Sequence, residues 1–230
     1  MLLLHAIART ETSSAPHTGL RGGALRRIES DGLAAVATQF EAMPTDLGRR
    51  DLLAAHEIVM QLGDCLPVRF PSWFEGEPDV RAYVRERASE LISELDRLHG
   101  LCELAVTVVW TSPVHPQGST SPASTGAQYL LERRRKLAGS EQRRKRAVDV
   151  QAMLERTAPG RWSHRLTPSD SVALSSALLI PRTSAVEIRA RLLEGVGIQQ
   201  DVRILVNGPW PPYTFVSLSR AREASNDDER

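Results

Sequence analysis

Apolar positions recur along this chain with two periods, and the alternation between them outlines the elements. Val80, Val84, Ala88, Leu91, Leu95 and Leu98 return every three or four residues, while Arg81, Arg85, Glu86, Glu90 and Asp96 fall mostly on other faces. That spacing predicts one amphipathic helix, closed by Gly100. Leu52, Leu53, His56, Val59 and Leu62 predict a second, opened near Pro44-Thr45-Asp46 and stopped by Gly63. Short apolar runs over 1–8, 24–29, 33–40, 66–70 and 102–110 read as strands, two of them joined by the turn signal Ser30-Asp31-Gly32. The order β, ββ, α, β, α, β predicts an α+β domain over 1–111, compatible with a ferredoxin-like sheet.

Residues 112–126 are rich in Ser, Thr, Pro and Gly and read as a linker or surface loop. A long helix over about 127–157 follows, ended by Pro159-Gly160. Strands over 162–166 and 172–180, a helix over 184–193 and a strand over 202–206 complete a second α+β domain, 127–218. The tail, 219–230, is polar and is expected to be disordered.

The strand at 202–206 runs into Gly208, Pro209, Trp210, Pro211, Pro212, Tyr213, Thr214, Phe215 and Val216. Three prolines and a glycine within five residues cannot continue a helix or sit in a central sheet ladder. On so stiff a backbone, Trp210, Tyr213 and Phe215 can be aimed at fixed pockets with little entropy left to lose. Two readings follow: the rings pack back onto a domain face as a structural clamp, or they contact a partner.

Composition narrows the chemistry. The chain has 230 residues, a formal net charge of +1 and 41% hydrophobic residues. Length and composition suit a globular protein with a real core and no global pull toward nucleic acid or anionic lipid. Cys65 and Cys102 form no CxxC and read as small buried apolar residues in a reducing compartment. The N-terminal apolar run is short and interrupted by His5, and no stretch is long enough to span a membrane, so a cytoplasmic protein without membrane insertion is expected.

His56-Glu57 invites a zinc reading, but a second imidazole would be needed at position 60, which is Met60. His56 is better read as a hydrogen-bonded core residue. His5, His17, His99, His115 and His164 stand at no ligand spacing, and neither a Gly-x-Ser-x-Gly elbow nor a phosphate loop occurs. Glu90 and Glu94 read as solvated helix charges. No catalytic, cofactor-binding or metal-binding residue is assigned, and a non-enzymatic protein is expected.

The densest charge lies in the long helix, where Arg133, Arg134, Arg135, Lys136, Arg143, Arg144, Lys145 and Arg146 fall within fourteen residues. Such a stripe suits a nucleic-acid-binding module, an acidic partner surface, or a solvated face with Glu132, Glu141, Asp149 and Glu155 as counterions.

The run from Asn207 to Val216 resembles the C-terminal signature of the gas vesicle protein F/L family (GvpF/GvpL). Leu53, His56 and Glu57 followed by Leu66, Pro67, Val68, Arg69 and Phe70 resemble a second family block, and Leu101 to Trp110 with Glu103 a third. Pro71 stands where the family has glycine. The resemblance implies a non-enzymatic, two-domain α+β protein with a ferredoxin-like N-terminal domain. It implies an assembly factor or minor structural component of gas vesicles that binds the hydrophobic shell protein GvpA, with other gas vesicle accessory proteins as further expected partners. A chaperone-like limit on GvpA aggregation during vesicle nucleation is the implied role.

Overall fold

The computed structural model describes residues 1–11, 18–111, 126–165, 171–196 and 201–217, with the side chains of 126–138 and 196 outside the description. Of the predicted loop over 112–126, residues 112–125 lie outside the described residues, as does the predicted tail over 219–230. The chain divides into two units, one comprising Met1–Leu101 with the chain from Pro211 onward, the other Cys102–Trp210.

The first unit is built on strands β1 (Leu2–Arg9), β2 (Leu25–Ser30), β3 (Leu33–Gln39), β4 (Leu66–Pro67) and β5 (Trp73–Phe74). The sheet order is β2-β3-β1-β4, with β5 also paired to β1. Asp31 and Gly32 both have positive φ, 52° and 75°, as the tight turn between twisted strands requires. Strand β1 is buried from Leu2 to Ala8, which explains its unbroken apolar run. Helices α1 (Arg49–Gln61), α2 (Glu77–Glu86) and α3 (Ala88–Leu98) complete this unit. Leu3, Leu20 and Ile58 form one part of its core, and Ala6, Ala8, Val36, Val59, Leu62 and Cys65 another.

His5 is the one ionisable side chain in that strand's buried run, and a bulge accommodates it. Leu4 pairs with Ala37 and Ala6 with Val36, so His5 is the extra residue. Its Nε2 lies 2.7 Å from Thr38 Oγ1, which also accepts the Leu20 N–H at 2.9 Å. The Thr38 hydroxyl thus links the imidazole to the Leu20 amide. Glycine is required around this hydroxyl: a Cβ on Gly19 would come within 2.5 Å of Thr38 Oγ1, and one on Gly23 within 2.8 Å of its methyl. Burial lowers the His5 pKa from 6.5 to about 4.

The start of α1 is tied down by charge. Asp51 accepts the Gly48 N–H at 2.9 Å and two bonds from Arg21 at 2.6 and 2.8 Å. Hydrogen bonding to Arg21, then to the Gly48 amide, holds the Asp51 carboxyl well below the usual carboxylate range.

The second unit runs β6 (Leu101–Trp110), α4 (Gly126–Thr157), β7 (Arg161–Arg165), β8 (Val172–Pro181), α5 (Ala185–Val196) and β9 (Val202–Trp210). Its sheet order is β7-β8-β6-β9, and the succession βαββαβ with this order is the ferredoxin-like arrangement. Val106, Val108, Val150, Leu154, Leu174, Leu178, Leu192 and Val202 contribute to one core. Cys102 belongs to this core and Cys65 to the first unit's, both as free thiols.

The α+β class is as expected, but the ferredoxin-like succession lies in the second unit, not the N-terminal one. Residues 102–110, expected to end the first domain, form an interior strand of the second sheet, antiparallel to β9. A strand's partner a hundred residues away leaves no trace in local pattern. The helix expected over 80–98 is two helices, because Arg87 leaves helical geometry at φ −116°, ψ 10°. Its guanidinium bonds Tyr83 on one side at 3.1 Å and Glu90 on the other at 3.0 Å.

The His5 environment predicts an acid-sensitive fold. Its folded pKa lies below the unfolded one, so the unfolded state binds the proton more tightly and stability falls as pH drops from 6.5 toward about 4. The loss approaches roughly 3 kcal/mol at the lower end. Urea unfolding between pH 4.5 and 7 should show this slope, and His5→Gln, which keeps an acceptor for Thr38 but does not titrate, should flatten it.

Candidate functional site

The proline–aromatic segment is built in two parts. Strand β9 pairs Asn207 with Ala105 and Trp210 with Glu103, three steps against two, so Gly208 and Pro209 form a bulge. Gly208 has φ +122°, and a Cβ there would stand 2.7 Å from the Glu103 carbonyl oxygen. Pro209 fits because β9 is an edge strand and a bulge needs no ladder donor at that residue. The strand thus reaches Trp210, four residues beyond its predicted end. Trp210 is half-buried, opposite Glu103 in the second unit.

From Pro211 the chain belongs to the first unit. Pro211 and Pro212 are buried, and the backbone turns through bonds from Phe215 N to Pro212 O at 3.0 Å and from Val216 N to the same oxygen at 3.2 Å. Phe215 is only 4% exposed. Helix α3 grips the backbone beyond it. Arg97 donates twice to Glu94, at 2.8 and 2.7 Å, and also to the Phe215 carbonyl, while Glu94 accepts the Ser217 N–H at 2.9 Å. Arg97 holds the Glu94 carboxyl below its ordinary value, with the Ser217 amide adding to the effect. Glu94 is therefore not the solvated charge its helical spacing suggested: it is buried and paired, and Glu90 is paired with Arg87.

Tyr213 lies on the reachable side of the same turn. Its hydroxyl is 3.3 Å from His56 Nδ1, and the two rings lie 5.6 Å apart. His56 is half-buried and hydrogen-bonded, and burial lowers its pKa. Its partner is the C-terminal segment, which its place on an apolar stripe did not reveal. Leu52, Leu53, His56 and Met60 share one face of α1 by helical spacing. Leu52, Leu53 and Met60 are all exposed large apolar residues, at 48%, 52% and 37%. The inner face of the helix buries Ala55, Ile58 and Val59. The outer face of α1 and Tyr213 thus form an apolar and aromatic surface within the first unit.

The basic stripe falls on α4. The side chains of Arg133, Arg134 and Arg135 lie outside the described residues. Arg143 lies over the Trp110 ring, 5.4 Å from its centroid, and Arg146 makes bonds of 2.7 and 2.9 Å to Asp201. Arg144 is exposed. Another polar cluster was not anticipated. His164 Nδ1 lies 2.8 Å from Ser176 Oγ and its ring stacks on Trp162. Glu155 Oε1 approaches Nε2 at 3.0 Å, yet out of line for a hydrogen bond. Ser176 is buried in β8, which suits a packed polar contact rather than a nucleophile. Among the described residues, no group of three or more His, Cys, Asp and Glu could hold a metal ion, and no helix is long and apolar enough to cross a membrane.

Residues 2–217 match the family model for gas vesicle synthesis protein GvpL/GvpF. The chain is 27% identical over 233 residues to gas vesicle protein L2 of Halobacterium salinarum, a match spanning 86% of this chain and 83% of that protein. The fold is similar to crystal structures of the gas vesicle protein GvpF from Anabaena sp. and from Microcystis aeruginosa, each with a TM-score of 0.71 at 18% identity. The first covers 95% of this chain and 97% of its own, the second 94% and 99%.

Two substitutions test the geometry of the segment. Gly208→Ala combines a backbone conformation that L-residues avoid with a clash against a carbonyl, and should destabilise by on the order of 2 kcal/mol or more in urea unfolding. Arg97→Met leaves Glu94 without its cation and the Phe215 carbonyl without its donor. It should cost about 1–3 kcal/mol and accelerate amide hydrogen exchange at Phe215 and Ser217.

Proposed function

The chain belongs to the gas vesicle GvpL/GvpF family, and on that premise we propose that it is an assembly factor that binds the hydrophobic shell protein GvpA and limits its aggregation while vesicles nucleate. The observation that carries this reading is the exposed apolar face of α1, Leu52, Leu53 and Met60, beside Tyr213. A shell protein that presents an apolar face to gas self-associates in water unless that face is covered. A rigid aromatic beside adaptable Leu and Met side chains provides such cover at small entropic cost.

In this reading the motif's rings have separate tasks. Phe215 is the anchor, buried and unavailable to a partner. Tyr213 is displayed by that anchor and by the Glu94–Arg97 grip on the backbone. Trp210 is a second candidate contact, carried by the edge of the other sheet. Release needs no nucleotide if the finished shell is the more stable state of GvpA. The place of action is the cytoplasm, where the growing vesicle meets water.

Co-expression with GvpA checks the proposal. The wild-type chain should bring GvpA into the soluble fraction as a complex recovered by pull-down. Tyr213→Ala combined with Leu53→Glu should reduce that recovery at least tenfold while thermal melting stays within a few degrees. GvpA that remains insoluble beside the folded wild-type chain would refute GvpA binding; undiminished capture by the folded variant would refute this surface.

A further inference from the structure

The basic helix contains a feature that GvpA binding does not use. The C-terminal end of β6 and the middle of α4 enclose a groove of about 430 Å³ lined by Trp110, Gln142, Arg143, Lys145, Arg146, Asp149 and Asp201. All belong to the second unit. Trp110 is half-buried against the core and supplies an apolar wall. The Arg143 guanidinium lies over the indole, which restrains its position before any ligand arrives. Arg146 is committed to Asp201 through two hydrogen bonds. Lys145 is exposed and, among the described residues, has no ion pair.

From this arrangement we propose that the groove docks an acidic peptide segment of a partner protein, with carboxylates on Arg143 and Lys145 and an apolar side chain against Trp110. Charge complementarity selects the ligand class. The cations outnumber the carboxylates, so the groove attracts negative charge. Asp149 and Asp201 sit in the same wall, where they oppose a chain that is negative at every step. A peptide avoids this cost, because its backbone N–H groups can donate to Asp149 while its acidic side chains reach the cations. A nucleic acid brings a phosphate at every nucleotide and lacks that freedom. The restrained Arg143 guanidinium can meet a carboxylate with two parallel bonds. This surface is independent of α1 and Tyr213, so failure of GvpA capture leaves it standing.

Fluorescence anisotropy on the full chain tests it with three labelled probes: a twelve-residue peptide of repeated Glu-Asp-Leu, the corresponding Lys-Arg-Leu peptide, and a twelve-nucleotide oligouridylate. The acidic peptide should bind saturably and the basic peptide should not. Arg143→Glu with Lys145→Glu should weaken the acidic peptide at least tenfold. Trp110→Leu, which keeps an apolar wall but removes the ring beneath Arg143, should weaken it severalfold. Arg189→Glu, a charge reversal at an exposed site on α5, should leave it within twofold. Melting curves establish that each variant is folded. Three results would overturn the proposal: no saturation with the acidic peptide, equal weakening by Arg189→Glu, or tighter binding of the oligouridylate with a steep salt dependence, which would make the stripe a nucleic-acid site.

Discussion

The ion pair between Glu94 and Arg97 determines where the last described stretch of the chain lies. One carboxylate and one guanidinium satisfy each other and then reach a backbone amide and a backbone carbonyl two residues apart, at Ser217 and Phe215. Hydrogen bonds to charged groups are stronger than neutral ones, and both partners here are charged. With the backbone held, Phe215 stays buried and Tyr213 is carried to the surface beside His56.

The same economy governs the polar groups inside the first sheet. His5 and Thr38 are buried in β1 and β3, yet the bulge and two close glycines let His5 Nε2 and the Leu20 amide meet at the Thr38 hydroxyl. Gly208 answers a similar demand in the second unit, where an edge strand approaches the Glu103 carbonyl too closely for any side chain. In both units the irregular residue stands where a regular strand would have produced a clash or an orphaned polar atom.

These details bear on function because both exposed surfaces rest on buried supports. The α1 face is exposed because Ala55, Ile58 and Val59 fasten the opposite face to the core. The groove on α4 is open while Ala147, Val150 and Leu154 secure that helix to the sheet. One surface is apolar and aromatic, the other mixed in charge with a single indole.

Much of the fold was legible in the sequence. The turn at Asp31-Gly32, the stops at Gly63 and Gly100, and the long helix from 126 to 157 are local events, set by φ preference, apolar period and breaker residues. The proline–aromatic segment stood out because its composition excludes helix and interior strand. The tertiary structure alone decided the rest. It assigned residues 102–110 to the second sheet, because strand pairing depends on a partner distant in sequence. It buried Glu94, because helical spacing says which residues share a face but not what covers that face. It separated Phe215 from Tyr213, anchor from displayed ring, and set Arg143 over Trp110. Local pattern specifies which elements form, whereas partners, burial and the chemistry of a surface come into being only when distant segments meet.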